Sequence, residues 1–463
     1  MKKYIRLFSL LFILLLSYHT TAQERMRHPD SVIFSREQLR EDARFIFKTF
    51  AEVHPNIYAL SSFEELERAK RLILNQINRP MNHREFNSIM ARLNHLLDGH
   101  TSIPLLMFRG ESGDSLLAFL DSGGKLFPDV RIEDNKIFLK EKYDGWEVMA
   151  INNIPAEKIM QEMIPYYSLE FPPYAWFRYE LDLNYYLFHV FHIKSPFNVD
   201  IKNKKGKVEK IILPGIEYDK KKHQNPPYQY YIYPDESIAL LELNTCSMSE
   251  KVMNEYFQSL PPFFDSIQKA DIRHLFIDVS RNSGGGEDIW MEIFKYIQHK
   301  VINLTSENAT RMSQQYIDRM KDYYGSFEAN VTQPGEVYIS PLTKDFLIDK
   351  QHSGFYGNLY IIQGIRTYSA GNGLCQIVAQ NDLGKLIGNT TGQPGKCYIY
   401  SLPFNTPNTK TLFHCSTRYS NRPLERPGIT VTPDLYWPVD RRDFFPVKEL
   451  QEMIKKLEKS ASK

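Results

Sequence analysis

Residues 359–372 read LYIIQGIRTYSAGN. The first six are a mostly apolar run closed by Gly364, the pattern of a strand buried on both faces. A helix is expected to start at Ala370 and run to Gln380. Ser369 therefore stands at a strand-to-helix turn, its hydroxyl beside the free N–H groups at the positive end of a helix. A hydroxyl in that place suits a nucleophile whose transition state develops an oxyanion. Serine is also a favoured helix cap, so two readings of Ser369 stand side by side.

The same strand-then-loop pattern recurs upstream. The apolar run His274 to Val279 ends in Asp278-Val-Ser-Arg-Asn282-Ser-Gly284-Gly285-Gly286. Consecutive glycines let backbone approach a ligand closely and turn N–H groups toward it. A phosphate loop does not fit, because no Lys-Ser/Thr follows the glycines. Around these two loops, strands are expected at Ser237 to Leu243 and Lys385 to Gly388, and helices at Glu250 to Lys269 and after the glycine loop through Ile297. Alternating strands and helices imply an α/β layer architecture. Residues 300–355 are polar and Tyr-rich and read as an insertion, and 447–458 as a charged terminal helix.

Toward the N-terminus the period changes. Ser35 can cap a helix carrying Leu39, Phe45, Ile46, Phe50 and Val53 until Pro55 ends it, and further helices fit Phe63 to Ile77 and His83 to Leu97. Residues 30–105 are thus expected to form an all-α N-terminal domain. Residues 106–232 read as β-rich, with a hairpin through Asn203-Lys-Lys-Gly206 and a strand Trp146 to Asn152 that turns at Ile154-Pro155 into a short helix ending at Met163. The five lysines between Lys202 and Lys210 form a short, isolated run, the mark of a solvated hairpin tip.

Composition narrows the function classes. Of 463 residues 42% are apolar and 24% charged, and 57 Lys plus Arg face 55 acids for a net charge of +2. That is a globular chain with no basic surplus to attract nucleic acid. Lys2, Lys3 and Arg6 precede an apolar run from Leu7 to Leu16 broken only by Ser9, and Thr20-Thr21-Ala22 follows. This is the order of a secretory signal peptide over 1–22, cleaved after Ala22. The run is too short to cross a bilayer core, which takes ~20 residues, so the mature chain is expected to be exported, periplasmic or secreted, without a membrane span. The four cysteines (246, 375, 397 and 415) lie in the second half. Cys397 and Cys415 flank a hairpin-like stretch, and both a cross-strand bridge and free buried thiols fit them.

Two more motifs carry candidate chemistry. Asp98-Gly99-His100-Thr101 closes the helical region, with an imidazole beside a carboxylate, and Glu425 opens Glu-Arg-Pro-Gly-Ile-Thr-Val-Thr-Pro-Asp434. Taken in order, DGHT at 98–101, DVSRNSGG at 278–285, TYSA at 367–370, GNTTG at 388–392 and ERPGITVTPD at 425–434 resemble the tail-specific (C-terminal-processing) and tricorn-core serine peptidases, and His54-Pro55-Asn56 is similar to exported bacterial members.

The resemblance implies a crotonase-like ββα-repeat catalytic core over 236–445, followed by a C-terminal helix and tail over 446–463. It also implies a PDZ-like module in the middle region, where Gly145-Trp-Glu-Val-Met-Ala-Ile-Asn-Asn-Ile-Pro155 is similar to a late strand of such modules. Ser369 matches the family nucleophile, and the N–H groups of Ala370 and of Gly284 or Gly285 match its oxyanion hole. One subgroup uses a Lys about 25 residues after the Ser; here that place is Pro394, and Lys396 is the nearest candidate for this alternative base. The other subgroup uses an early His and a late Glu, which His100 and Glu425 match. Two departures stand out: Ser280 replaces the Arg of Asp-x-Arg-x-Asn, with Arg281 one place later, and Gly99 stands where a Ser orients the imidazole, leaving Asp98 or Glu425 for that task. The implied activity is hydrolysis of peptides or unfolded proteins through an acyl-enzyme. No metal or organic cofactor is implied, since no His or Cys pair has zinc-site spacing. The alternative is an inactive peptide- or ligand-binding protein on the same fold.

Overall fold

Three capping boxes start the helices of the N-terminal region. In each, the side chain of Ser35, Ser62 or Asn82 accepts an N–H from Gln38, Glu65 or Glu85, whose own side chain accepts the cap N–H in return. They open α1 (Arg36–Val53), α2 (Phe63–Gln76) and α3 (His83–Met90), the last followed by a 3-10 turn, Ala91–Leu96. A computed structural model describes residues 30–106, 111–218, 225–297, 307–325, 327, 333–340, 354–421, 429–439 and 444–461. The expected leader and Glu425 lie outside the described residues. Two compact units emerge, one drawn from Glu24–Lys221 and Tyr400–Thr417, the other from Lys222–Ile399 and Arg418–Lys463.

In the first unit the helices are joined by one short antiparallel pair, β1 (Ile33–Phe34) with β2 (Met81–Asn82), which the helical reading lacked. After α4 (Glu111–Asp121) come β3 (Val130–Glu133), β4 (Lys136–Leu139), β5 (Glu147–Ile151), β6 (Ile154–Pro155), α5 (Ala156–Met163), α6 (Pro172–His189), β7 (Phe197–Lys202) and β8 (Val208–Leu213). The strands form an antiparallel sheet in the order β3-β4-β5-β7-β8, with β6 beside β5. The 18-residue helix α6 corrects the picture of a β-rich region. Its aromatic residues obscure the apolar stripe in the sequence, and it opens on Pro172-Pro173, which a first turn tolerates. Ala175, Tyr179, Leu183, Tyr186 and Leu187 bury it in one core with the sheet's Val130, Ile132, Val199 and Ile201.

The second unit begins with β9 (Tyr228–Tyr233), β10 (Ile238–Leu243), α7 (Glu250–Lys269), β11 (His274–Asp278) and α8 (Asp288–Ile293). It continues with β12 (Glu307–Arg311), α9 (Gln314–Tyr324), β13 (Val337–Ser340), β14 (Asn358–Gln363), α10 (Ala370–Gln380) and β15 (Lys385–Gly388). The hairpin β16 (Lys396–Asn405) and β17 (Leu412–Asn421), whose residues 400–417 belong to the first unit, then β18 (Leu435–Tyr436) and α11 (Val447–Ala461), follow. The main sheet runs β18-β15-β14-β11-β10-β9, parallel except for β9. Period 2 explains its apolar strands. Leu241, Leu275, Ile277, Leu359 and Ile361 face a core shared with α7 and α10, while Leu240, Phe276, Tyr360 and Ile362 face a second core capped by Leu450 and Met453 of α11. Each such side chain contributes roughly 1.5–3 kcal/mol by leaving water.

The polar stretch read as an insertion is in part a built element. β12 pairs with β13 and with β17, in a sheet ordered β13-β12-β17-β16. All four cysteines are free and buried, so Cys397 and Cys415 are thiols. Among the described residues no helix is long and apolar enough to cross a membrane.

Candidate active site

The parallel register of β11 and β14 sets Asp278 beside Ile362, so the loops leaving both strands emerge at the same sheet edge. Ligands of α/β sheets bind at this carboxyl edge. The loop after β14 is cross-tied by Thr367, whose buried hydroxyl donates to the Val279 carbonyl (2.8 Å) and accepts the Gly364 N–H (2.9 Å). It delivers Ser369 to the start of α10 at φ +50°, ψ −120°, with no cap hydrogen bond from the side chain to the helix. The cap reading of Ser369 thus has no bond to carry it. Positive φ at a non-glycine residue costs about 1–3 kcal/mol and persists only where surroundings impose it. The Ser369 N–H donates to the buried Gln393 Oε1 at 2.5 Å.

Asn282 ties the glycine loop to this turn. Its side chain donates to the Leu243 carbonyl (3.0 Å) and accepts the Gly284 N–H (2.9 Å), while its carbonyl accepts the Tyr368 N–H (3.0 Å). The Gly284 N–H is thus already held by the Asn282 side chain. Both glycines have positive φ, +111° and +132°. A Cβ on Gly284 would lie 2.5 Å from Ser369 Cβ, and one on Gly285 would lie 2.0 Å from the Cys246 carbonyl carbon. A Cβ on Gly371 of α10 would fall 2.7 Å from the Asn282 carbonyl oxygen. Gly284→Ala is expected to displace Ser369 and lower kcat on the order of 100-fold, with KM moving much less; steady-state kinetics on one peptide checks it, and equal small changes in both constants would contradict it.

The displaced arginine of the DVSRNSGG motif is accommodated. Arg281 is buried, with its guanidinium 3.1 Å from Glu242, 3.6 Å from Asp278 and its Nε donating to Asn244 Oδ1 at 2.8 Å. Asp278 in turn accepts the Ser280 N–H (2.8 Å). Burial raises the carboxyls of Glu242 and Asp278, and the guanidinium opposes that rise. Arg281 is therefore paired with Asp278, the acid that ends β11, and with Glu242.

His100 lies in the other unit, half-buried, on a loop organised by Asp98. Asp98 Oδ1 accepts the N–H groups of His100 (2.9 Å) and Thr101 (3.1 Å) and the Ser416 hydroxyl (2.7 Å). Oδ2 meets His54 Nε2 at 2.9 Å, and because His54 Nδ1 accepts the Asn56 N–H, Nε2 carries the proton. Burial alone would raise Asp98, but His54, Thr101 and Ser416 outweigh it and hold the carboxyl down at about 2. Asp98 so fixes the backbone around His100 and pairs with a different histidine. Ser401 donates to the His100 carbonyl at 2.7 Å, securing the loop from the hairpin side.

Glu170 accepts the Gly99 N–H at 3.0 Å, and burial together with the Asp98 charge pushes its carboxyl up to about 8. A carboxyl raised in the folded state contributes stability below its unfolded value near 4.5, and that contribution is lost as pH rises toward 8. Glu170→Gln keeps an acceptor without the charge. Its Tm advantage over the parent chain is expected to be small at pH 4.5 and to grow by pH 8.5; a constant difference across that range would contradict the assignment.

Ser369, Ala370, Gly284 and Gly285 thus converge at one edge of the main sheet. Lys396, the first residue of β16, has an exposed side chain, while the next residue, Cys397, turns inward. Sequence reading missed Gln393, Asn282 as the tie between loops, and Glu170; none belongs to a periodic pattern, and only the Asn282 motif offered a local signal.

Residues 237–435 match the family described as Peptidase family S41. Among curated proteins none matches the chain. In fold the chain is similar to the crystal structure of mature CPAF, with TM-score 0.57 and 11% identity over 91% of this chain and 96% of that one. Similarity to mature CPAF complexed with lactacystin is comparable, at TM-score 0.56 and 11% identity over 92% and 98%.

Proposed function

We propose, from the match of residues 237–435 to peptidase family S41, that this serine-type peptidase hydrolyses peptide bonds through an acyl-enzyme on Ser369. The observation that carries the reading is Ser369 itself: a serine at positive φ, at the mouth of an 11-residue helix, with no cap bond and with Gly284 backbone packed against its Cβ. In the first step Ser369 Oγ attacks the substrate carbonyl carbon while His100, as general base, takes the hydroxyl proton. The tetrahedral oxyanion accepts hydrogen bonds from the N–H groups of Ala370 and Gly285, each worth ~3 kcal/mol in other serine enzymes. His100 then returns the proton to the leaving amine, and water releases the acid by the reverse sequence. Glu425 is proposed to orient the imidazole, since both oxygens of Asp98 are held by other donors. Peptides or unfolded proteins are the proposed substrates of the exported chain.

The finer architecture belongs to the same reading. The parallel strands β10, β11, β14 and β15, with α7 and α10 packed on one face, support a crotonase-like core. The antiparallel sheet β3-β4-β5-β7-β8 with α5 and α6 supports a PDZ-like middle module. The rival is a peptide- or ligand-binding protein without turnover on the same fold. The experiment is labelling with a fluorophosphonate and mapping of the adduct: modification at Ser369 is expected, and an unlabelled, folded protein that binds peptides without cleaving them would favour the rival.

A further inference from the structure

The amide of Gln393 occupies a place that nothing in the motif pattern assigns. It is buried, its Oε1 accepts the Ser369 N–H at 2.5 Å, and its Nε2 donates to Cys397 Sγ at 2.7 Å. The loop that presents it is itself tied to the elements of the nucleophile turn. The Gly392 N–H donates to the Thr367 carbonyl (3.0 Å), the Asn389 N–H to the Gln363 carbonyl (3.1 Å), and Gln376 Nε2 of α10 to the Gly395 carbonyl (3.2 Å). Gln393 therefore approaches Ser369 from a frame anchored before and after it.

A serine ahead of a helix has a competing, unstrained state with negative φ, in which its hydroxyl caps the first turn. Rotating Ser369 toward that state would pull its half-buried N–H away from Gln393, leaving that donor and the buried Gln393 Oε1 unpaired. Such unpaired groups are costly inside a protein. We propose that Gln393 is a positioning residue, which holds Ser369 at positive φ through its N–H, keeps the hydroxyl off the helix, and sets the direction of the adjoining Ala370 N–H. This proposal rests on Ser369 being the nucleophile.

The test compares Gln393→Met, which keeps the bulk without the amide, with Gln393→Glu, which keeps an acceptor for the Ser369 N–H. Each is assayed for kcat and KM on one peptide and for the rate of fluorophosphonate labelling. Gln393→Met is expected to lower kcat and labelling by about 10- to 100-fold, the factor matching loss of one buried hydrogen bond, with KM within about threefold. Gln393→Glu is expected to recover most of the labelling rate. Near-normal labelling of Gln393→Met, or equal losses in Met and Glu variants that both remain folded, would overturn the positioning role. If the Met variant fails to fold, the Glu variant decides alone, because poor labelling of a folded Gln393→Glu protein contradicts it. A parent protein that is not labelled at Ser369 at all would instead overturn the nucleophile assignment.

Discussion

Ser369→Ala is expected to abolish peptide hydrolysis, with a loss of at least ~10⁴-fold in turnover, while the Tm stays within a few degrees of the parent chain. Removing the nucleophile of a serine enzyme costs about 10⁶-fold in kcat where it has been measured, and a residue of rate enhancement survives through the oxyanion donors and substrate binding. The small thermal effect follows from geometry: the Ser369 side chain makes no cap bond to α10, so the ~1 kcal/mol that a lost cap would cost does not apply. Ser369→Gly sharpens the contrast. Glycine adopts φ +50° without the penalty serine bears, so this variant is expected to be inactive and yet more stable, by about 1 kcal/mol. Opposite signs on activity and stability at one position are the mark of strain kept for chemistry. Calorimetry and a peptide assay on the same preparations check both, and a folded Ser369→Ala protein with retained turnover would defeat the assignment.

His100→Ala is expected to lose at least ~100-fold in turnover, Lys396→Ala very little, and Glu425→Gln an intermediate amount. The His100 loop is held at both ends, its N–H by Asp98 and its carbonyl by Ser401, a degree of order that suits a catalytic imidazole. A lysine base works near neutrality only when stripped of water, and the Lys396 side chain is exposed on β16. The two bases also differ in pH profile. A histidine gives activity rising through about pH 6 to 7 and flat above, whereas a lysine moves the rising limb toward ~8 or beyond. All three variants are to be measured on one unstructured peptide across that range, with folding followed by circular dichroism. A dead Lys396→Ala protein beside a nearly normal His100→Ala protein would assign a Ser-Lys dyad instead.

Much of the architecture was legible because it is local. The apolar runs at 238–243, 274–278 and 358–363, the capping residue Ser35, and the Lys-Gly hairpin each write their structure within a few residues. Where local signals conflict, reading failed. Helix α6 was missed because aromatic residues blur its apolar stripe behind two prolines, and β12, α9 and β13 were missed because polar composition hides strands that pair with a distant hairpin.

By itself the sequence determined that a serine would stand between a buried strand and a helix, that three glycines would follow a neighbouring strand, and that a histidine would close the helical region, because period, turn chemistry and motif spacing are properties of contiguous residues. Only the tertiary structure decided what holds these groups. Gln393 reaches Ser369 across 24 residues, Glu170 reaches Gly99 across 71, His54 meets Asp98 across 44, and Ser416 joins them across 318. A hydrogen bond between residues so far apart leaves no period in the chain. It exists only once packing has brought both partners together, and burial makes an unpaired alternative expensive.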